Sequence, residues 1–317
     1  MDALSQLLAL GRFEARMDVR CLLDGAFVMP HDTMPANELP FHLLLSGRCT
    51  VRTASGEVPM QAGDFVLISQ GQAHTMAHAG AAPTTARARP ATRPLTRRPP
   101  GEHATLPLIS NLGVAAQATV DLVCGRYVHA PGAGALLTQV LPPVLHATLA
   151  GATERPPLDA MIALLRAESA AARPGAHALI NALGQALLAL ALRAHGRAAH
   201  APPGMLRLLA DTRLAPSIQA LLREPGADWT LDTLAERAAM SRATYARQVQ
   251  AVAGTAAGAL VSRLRMMQAC ELLQDARRSV ADVADAVGYR SEAAFGKAFQ
   301  AVLGEPPGRW RRARAQR

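Results

Sequence analysis

Short apolar runs broken by turn signals fill the first 80 residues. They lie at 26–29, 42–45, 49–53 and 65–69, divided by Ser46-Gly47, Ser55-Gly56 and Ala62-Gly63-Asp64. Runs of four or five residues at this spacing predict a small barrel or sandwich. A second β-like piece follows at 120–124 and 127–128. From about residue 136 the period turns helical: 158–169, then 176–194 with Leu179, Leu183, Leu187 and Leu190 on one stripe. Residues 206–317 read as short helices with start and stop signals. One spans 214–223 and ends before Pro225-Gly226. Thr230 or Asp232 caps 231–239, Ser241 caps 242–252 before Gly254, and 258–274 is the longest. Ser279 caps 280–287 before Gly288, and Ser291 caps 292–303 before Gly304. The fold class expected is therefore α+β, a β barrel followed by an all-α domain.

Composition sharpens the divisions. From 79 to 101 the chain reads AGAAPTTARARPATRPLTRRPPG, with five arginines, five prolines and no acid, which predicts a disordered or extended loop near 80–118. The stretch 196–204, GRAAHAPPG, reads as a hinge. The expected organisation is a β-rich domain over 1–150, a helical connector over 151–205 that offers a dimerisation stripe, and a helical domain over 206–317. Lys+Arg exceed Asp+Glu by 33 to 24, a balance that favours polyanionic partners; Lys297 is the one lysine. The longest apolar stretch, 179–192, carries Asn181 and Gln185 and falls short of the ~18 residues of a membrane span. The first residues lack a basic leader pattern. Cys21, Cys49, Cys124 and Cys270 are widely spaced with no CxxC, forming neither a disulfide framework nor a zinc cluster. A cytoplasmic protein without a membrane anchor is expected.

The helical half contains one arrangement twice: a short helix, a tight turn and a capped helix. A helix-turn-helix needs a small residue where its helices cross and a tight turn after it. Ala235 and Ala284 hold the first position; Ala239 and Gly288, four residues on, hold the second. The second helix of each pair hides one face and offers the other to a major groove. In 242–252, Tyr245, Val249 and Val252 form the inner face, leaving Arg242, Ala243, Thr244, Ala246, Arg247 and Gln250 for DNA. In 292–303, Phe295, Ala298, Phe299 and Val302 point in, leaving Glu292, Ala293, Gly296, Lys297 and Gln300 outward. Residues 228–317 hold 14 Lys+Arg against 9 Asp+Glu, in keeping with phosphate contact, and Arg309, Arg311, Arg312, Arg314 and Arg317 add a basic tail suited to the backbone.

The stretch WTLDTLAERAAMSRATYARQVQAVAG, the helix holding RLRMMQACELL, and SVADVADAVGYRSEAAFGKAFQAVLGEPPGRWR resemble the AraC/XylS class of bacterial transcription regulators. Val283-Ala284, Gly288-Tyr289, Ser291, Phe295, Phe299, Gly304 and Pro306 carry the more specific half of that resemblance, which covers about 210–314. Three positions depart from the pattern. Ala239 stands for the usual glycine, Val249 for a common phenylalanine, and Lys297 for an arginine. Lysine lacks the guanidinium fork, so base reading by that helix softens. The resemblance implies double-stranded promoter DNA as partner, two recognition helices about one turn (~34 Å) apart, and activation through RNA polymerase.

The segment PFHLLLSGRCTVRTASGEVPMQAGDFVLISQGQAH is similar to the cupin-type barrel that fronts one AraC subgroup. The match rests on His42 with Gly47, on Gly63-Asp64-Phe65-Val66, on Gly71 and His74, and later on LVCGRY at 122–127. Cupins often hold a metal with clustered histidines and a carboxylate. Here Leu44 replaces the second histidine, and His78 and Glu38 stand at no compelling spacing, so neither metal nor cofactor is expected. Cys21, Cys124, His42 and His74 are the sensor candidates. Arg20 beside Cys21 favours a thiolate, as a redox sensor requires, and similar cupin-fronted regulators include oxidant-responsive members with a cysteine near this position. The opposing reading makes all four cysteines small buried hydrophobes; Cys270 is assigned to the core. The function expected is a DNA-binding regulator, not an enzyme, controlled by a small molecule or oxidant and able to form a homodimer. Its rivals are a metal-dependent cupin enzyme fused to a DNA-binding unit and a nucleoid-type binder.

Overall fold

The computed structural model describes residues 1–79, 93–101, 104–113, 117–151 and 155–315. Much of the Pro/Arg stretch, 80–92, thus lies outside the described residues, as does Arg317. The chain separates into two compact units. One is built on sheets and comprises residues 14–128 and 142–195; the other is helical and comprises 1–13, 129–141 and 196–317. These divisions differ from the expected cuts at 150 and 205, because leucine periodicity does not say which surface a helix will cover.

In chain order the elements begin with α1 (Ala3–Gly11), β1 (Glu14–Leu23), β2 (Phe27–His31), β3 (Glu38–Ser46), β4 (Arg48–Thr53), β5 (Gly56–Gln61), β6 (Asp64–Ile68) and β7 (His74–His78). Then come β8 (Thr96–Arg98), β9 (Leu108–Ser110), β10 (Val120–Val128), α2 (Ala133–Thr138), β11 (Val144–Thr148), α3 (Arg155–Ser169) and α4 (Ala176–Arg197). Helices α5 (Met205–Ala210), α6 (Ala215–Arg223), α7 (Leu231–Arg237), α8 (Arg242–Ala253), α9 (Ala257–Leu272), α10 (Val280–Ala286), α11 (Glu292–Leu303) and α12 (Pro307–Ala315) complete the chain.

The sheet unit packs a seven-stranded sheet, ordered β11-β6-β3-β10-β1-β9-β8, against a four-stranded one, β2-β7-β4-β5. Between them lie Val19, Cys21, Leu23, Leu44, Val66, Leu122 and Cys124 from the first, and Phe27, Met29, Val51, Met60 and Met76 from the second. β1 shifts register against β10 between Met17 and Val19, leaving Asp18 as the extra residue. A one-residue shift exchanges the faces of a strand. Val19, Cys21 and Leu23 therefore enter the core between the sheets, whereas Ala15 and Met17 lie against Gly184 of α4.

The expected connector belongs to this unit. The Tyr127 hydroxyl donates to the Gly184 carbonyl (2.7 Å), and Arg166 Nε donates to Asp121 (2.9 Å). By length and composition alone, α4 is long and apolar enough to cross a membrane; the expectation drawn from 179–192 undercounted it. Two short strands, β8 and β9, extend the sheet where a loop was expected. Strands β1, β5 and β7 and helices α1, α2, α5 and α12 carried no expectation, and β11 is a strand where the period was read as already helical; β1 has the alternation of a half-buried strand, but interleaved charges mask it.

In the helical unit, α1 and α2 pack on α9, and Gly132 before α2 lies against Trp310 and Cys270. The two helix pairs repeat each other with an offset of 49 residues through the turn (Thr230/Ser279, Ala239/Gly288) and of 50 beyond it (Ser241/Ser291). Both first helices open with a capping box, Thr230 with Thr233 and Ser279 with Asp282. Both second helices are capped by a serine and end at a left-handed glycine, Gly254 or Gly304.

Candidate functional site: a buried histidine–cysteine cluster and two exposed helix faces

All four sensor candidates converge. On the seven-stranded sheet, His42 of β3 stands directly opposite Cys124 of β10. On the four-stranded sheet, His31 of β2 stands directly opposite His74 of β7. The two pairs meet across the interior. His42 Nδ1 lies 3.1 Å from Cys124 Sγ, and His42 Nε2 lies 2.7 Å from His74 Nε2. The His31 ring stacks on His74 at 4.7 Å and tilts against His42 at 4.9 Å. Cys21 lies in the same core, two residues along β1 from Val19, the cross-strand partner of Cys124. His42, His74, Cys21 and Cys124 are buried.

One contact orders the protons. His74 Nδ1 sits 3.1 Å from the Gln72 carbonyl. A carbonyl only accepts, so Nδ1 carries the hydrogen and, in the neutral ring, Nε2 is the acceptor. His42 Nε2 then donates to His74, leaving Nδ1 to accept from the Cys124 thiol. Burial, with His31 and His74 adding to it, holds His42 well below its ordinary value. Burial also lowers His74, and takes His31 to about 4. The Cys21 contact and burial push the Cys124 thiol well up. The resting cluster is three neutral imidazoles beside a protonated Cys124 thiol.

Sequence reasoning missed His31, whose place depends on the β2–β7 register. It also misjudged Arg20, which makes a fork to Asp121 (Nε and Nη2, both 2.9 Å) and points away from the core that holds Cys21. Side chains alternate along a strand, so sequence neighbours face opposite ways. Glu38 pairs with Arg126 at 3.0 Å, and His78 packs on Phe27, outside the cluster. Cys49 and Cys270 are core residues whose thiols burial pushes up to about 12.

On α8, Tyr245 and Val249 are buried; Val252, expected with them, is half-buried. Arg242, Ala243, Arg247 and Gln250 are exposed, and Thr244 and Ala246 half-buried. The Thr244 hydroxyl accepts from that of the cap residue Ser241 (2.9 Å), and Arg242 pairs with Asp232 at 3.4 Å. On α11, Phe295 and Phe299 are buried, while Glu292, Ala293, Lys297 and Gln300 are exposed and Gly296 half-buried. Tyr289, Phe295, Phe299 and Trp310 form a continuous aromatic run beneath that helix.

Arg265 of α9, which has no place in the sequence pattern, joins the two helix pairs. Its Nε donates to the Pro225 carbonyl (3.0 Å) and Nη2 to that of Ala227 (2.8 Å), both before α7; Nη1 donates to that of Gly288 (3.2 Å), in the second turn. Its guanidinium also lies 5.8 Å over the Tyr289 ring. An arginine whose neighbours are carbonyls has no sequence signature of its own.

The family described as Cupin matches residues 2–197, and that described as Helix-turn-helix domain matches residues 234–313. The chain belongs to the cupin-fronted AraC-type transcription regulators. Among its relatives is the RCS-specific HTH-type transcriptional activator RclR of Escherichia coli K12, 28% identical over 98% of this chain and 97% of that one. The HTH-type transcriptional regulator MtrA of Neisseria gonorrhoeae is 28% identical over the whole of both chains. The solved DNA-binding domain of AdpA, in complex with a target DNA, is 35% identical, covers 33% of this chain and 96% of its own, and superposes with a TM-score of 0.32. The regulator thus has the α+β architecture expected of it, a cupin domain followed by the helical DNA-binding domain.

Proposed function

We propose that this AraC-type regulator reads a two-electron oxidant at Cys21 and Cys124 and answers by changing its affinity for promoter DNA. The observation that carries the reading is the unbroken chain from Cys124 through His42 and His74 to the Gln72 carbonyl, with Cys21 in the same core on the adjoining strand. The resting pair is neutral, so Cys124 gives its proton to His42 Nδ1 only as its sulfur attacks the oxidant, with His74 accepting from Nε2 of the imidazolium. With hydrogen peroxide, Cys124 and Cys21 together lose two protons and two electrons, forming one disulfide while the oxidant leaves as two waters.

Connectivity supports a route outward. β1 carries Cys21 and follows directly on α1; β10 carries Cys124 and runs on into α2. Both helices pack on α9 within the helical unit. Strain in either strand reaches, along the chain itself, a helix seated on the one that joins the two helix-turn-helices.

At DNA, Arg247, Gln250, Lys297 and Gln300 read bases, with Arg242, Ala243, Ala246, Glu292, Ala293 and Gly296 lining the groove, while Thr244 sets the helix start. Activation proceeds through RNA polymerase, on cytoplasmic DNA. A homodimer forms along the exposed Leu164 and Leu179 of α3 and α4. In this reading the cupin domain turns nothing over; the rival enzyme requires turnover that is lost on changing His42 or His74.

Selection of sites from a random DNA pool, at fixed salt, tests the reading with the chain reduced and then oxidised. A two-block site whose enrichment changes on oxidation is expected, with the change abolished in Cys21→Ser and Cys124→Ser. Arg247→Ala should lower specific binding more than non-specific binding. Identical enrichment in both redox states would remove the oxidant from the reading, and equal losses for Arg247→Ala would remove its base contact.

A further inference from the structure

We propose that His31, His42 and Cys124 form a binding site for one Cu+ ion. The ion rests on the same cluster as the oxidant reading but does not require Cys124 to be oxidised. Three observations point to it. First, one donor atom from each of these residues can be chosen so that all lie within 4.8 Å of one another. A trigonal ion with metal–nitrogen bonds near 2.0 Å and a metal–sulfur bond near 2.3 Å needs separations of about 3.6 Å, so the widest pair closes by about an ångström. Second, His31 Nε2 is buried without a hydrogen-bond partner, although the same ring is stacked on His74. An imidazole nitrogen left unsatisfied inside a protein is costly, and a metal bond removes that cost. Third, the donors are fixed by paired strands: His42 and Cys124 are cross-strand partners on one sheet, and His31 is held by its pairing with His74 on the other.

This donor set is not that of the cupin pattern. Leu44 stands where that pattern places its second histidine, and β2 and β10 supply His31 and Cys124 instead.

Charge and coordination number select the ion. The surrounding core is apolar, made of residues such as Val19, Leu44, Val66, Met76 and Leu122. One thiolate and one monovalent cation leave that core neutral, whereas a divalent ion leaves a net positive charge buried without a counter-ion. Two imidazoles and a thiolate suit a soft d10 ion content with three ligands; zinc in a structural site takes four. His74 stays outside the coordination sphere, since its Nε2 is spent on His42 Nε2 and its Nδ1 on the Gln72 carbonyl. It orients His42 in the manner of the groups that commonly support a metal-bound imidazole. Binding replaces the Cys124 proton: the sulfur–hydrogen bond is exchanged for a sulfur–copper bond, and one proton leaves to solvent for each ion bound.

Anaerobic titration of the reduced full-length chain with Cu+, in competition with a chromophoric Cu+ chelator, tests the site. One equivalent is expected, with thiolate-to-copper absorption in the near ultraviolet and release of one proton. Cys124→Ser and His31→Gln should each weaken binding by at least about 10–100-fold, the loss typical even of a supporting residue. His31 is the best control against misfolding, because it lies at the half-buried end of β2. Cys49→Ser, in the same core but outside the donor set, should bind as the parent does. No uptake, uptake unaffected by His31→Gln, or binding of Zn2+ in preference to Cu+ would overturn the proposal. Loss of the redox effect on DNA with this titration intact would instead overturn the oxidant reading alone.

Discussion

Ala239 has φ of +52°, in the region that favours glycine, and Gly288 holds the equivalent turn at +80°. The two positions face different constraints. A Cβ at Gly288 would lie 2.5 Å from Nη2 of Arg265, so the second turn excludes a side chain on contact as well as on conformation. At Ala239 the cost is conformational, since the left-handed region is worth roughly 1–2 kcal/mol to a residue with a Cβ. Ala239→Gly should therefore stabilise the helical unit by about 0.5–1 kcal/mol after the extra chain entropy of glycine is subtracted. Thermal unfolding would register this as a rise of a few degrees. An unchanged or lower midpoint would mean that the turn does not strain its alanine.

At the scale of elements, α8 and α11 have their exposed faces set by local rules, and Arg265 of α9 ties the two helix pairs together. Arg265 donates to three backbone carbonyls, those of Pro225, Ala227 and Gly288, the second of which also accepts from Trp229 N (2.8 Å); a buried polar group left without a partner costs about 1–3 kcal/mol. Burial lowers its pKa, against an opposing pull from Tyr289 and Asp228. Arg265→Gln should weaken binding to a site with both blocks present more than binding to a site with one block scrambled. The comparison separates spacing from simple loss of fold. Equal effects on the two sites, with the circular-dichroism spectrum retained, would make Arg265 a stabilising residue with no part in positioning.

Across the whole molecule the basic excess is unevenly available. Arg314 lies 4.0 Å over Trp310 and pairs with Glu305 at 3.4 Å, whereas Arg309 and Arg312 of α12 are exposed. The tail expected to grip the backbone is therefore split between a structural and a solvent-facing part. Arg309→Ala with Arg312→Ala should flatten the dependence of log affinity on log salt by up to about one unit for each phosphate no longer neutralised. Arg314→Ala should leave that slope alone and cost stability, by about 1 kcal/mol from removal of the cation over the Trp310 ring. A flattened slope for Arg314→Ala, or an unchanged one for the exposed pair, would reverse these roles.

The local features were legible in the residues. Ser241, Ser279 and Ser291 cap helices because a side-chain oxygen reaches a free N–H within one turn, and Gly254 and Gly304 end them because the left-handed region admits glycine. α11 begins and ends where its pattern placed it, and its buried Phe295 and Phe299 follow from the helical period. His42, His74, Cys21 and Cys124 could be named singly for their chemistry. Their meeting could not, because contact between strands depends on register: His42 faces Cys124 and His31 faces His74 only once two sheets have paired and stacked. The Asp18 bulge decides that Cys21 faces the core, and nothing in the run EARMDVRCLL announces it. The same holds for α1 and α2, distant in sequence from α9 and packed on it in the helical unit. Sequence determined what forms within a turn of helix or a run of strand, where partners are close along the chain. Tertiary structure alone decided which side chains share a site, because that depends on pairings between residues far apart in the chain.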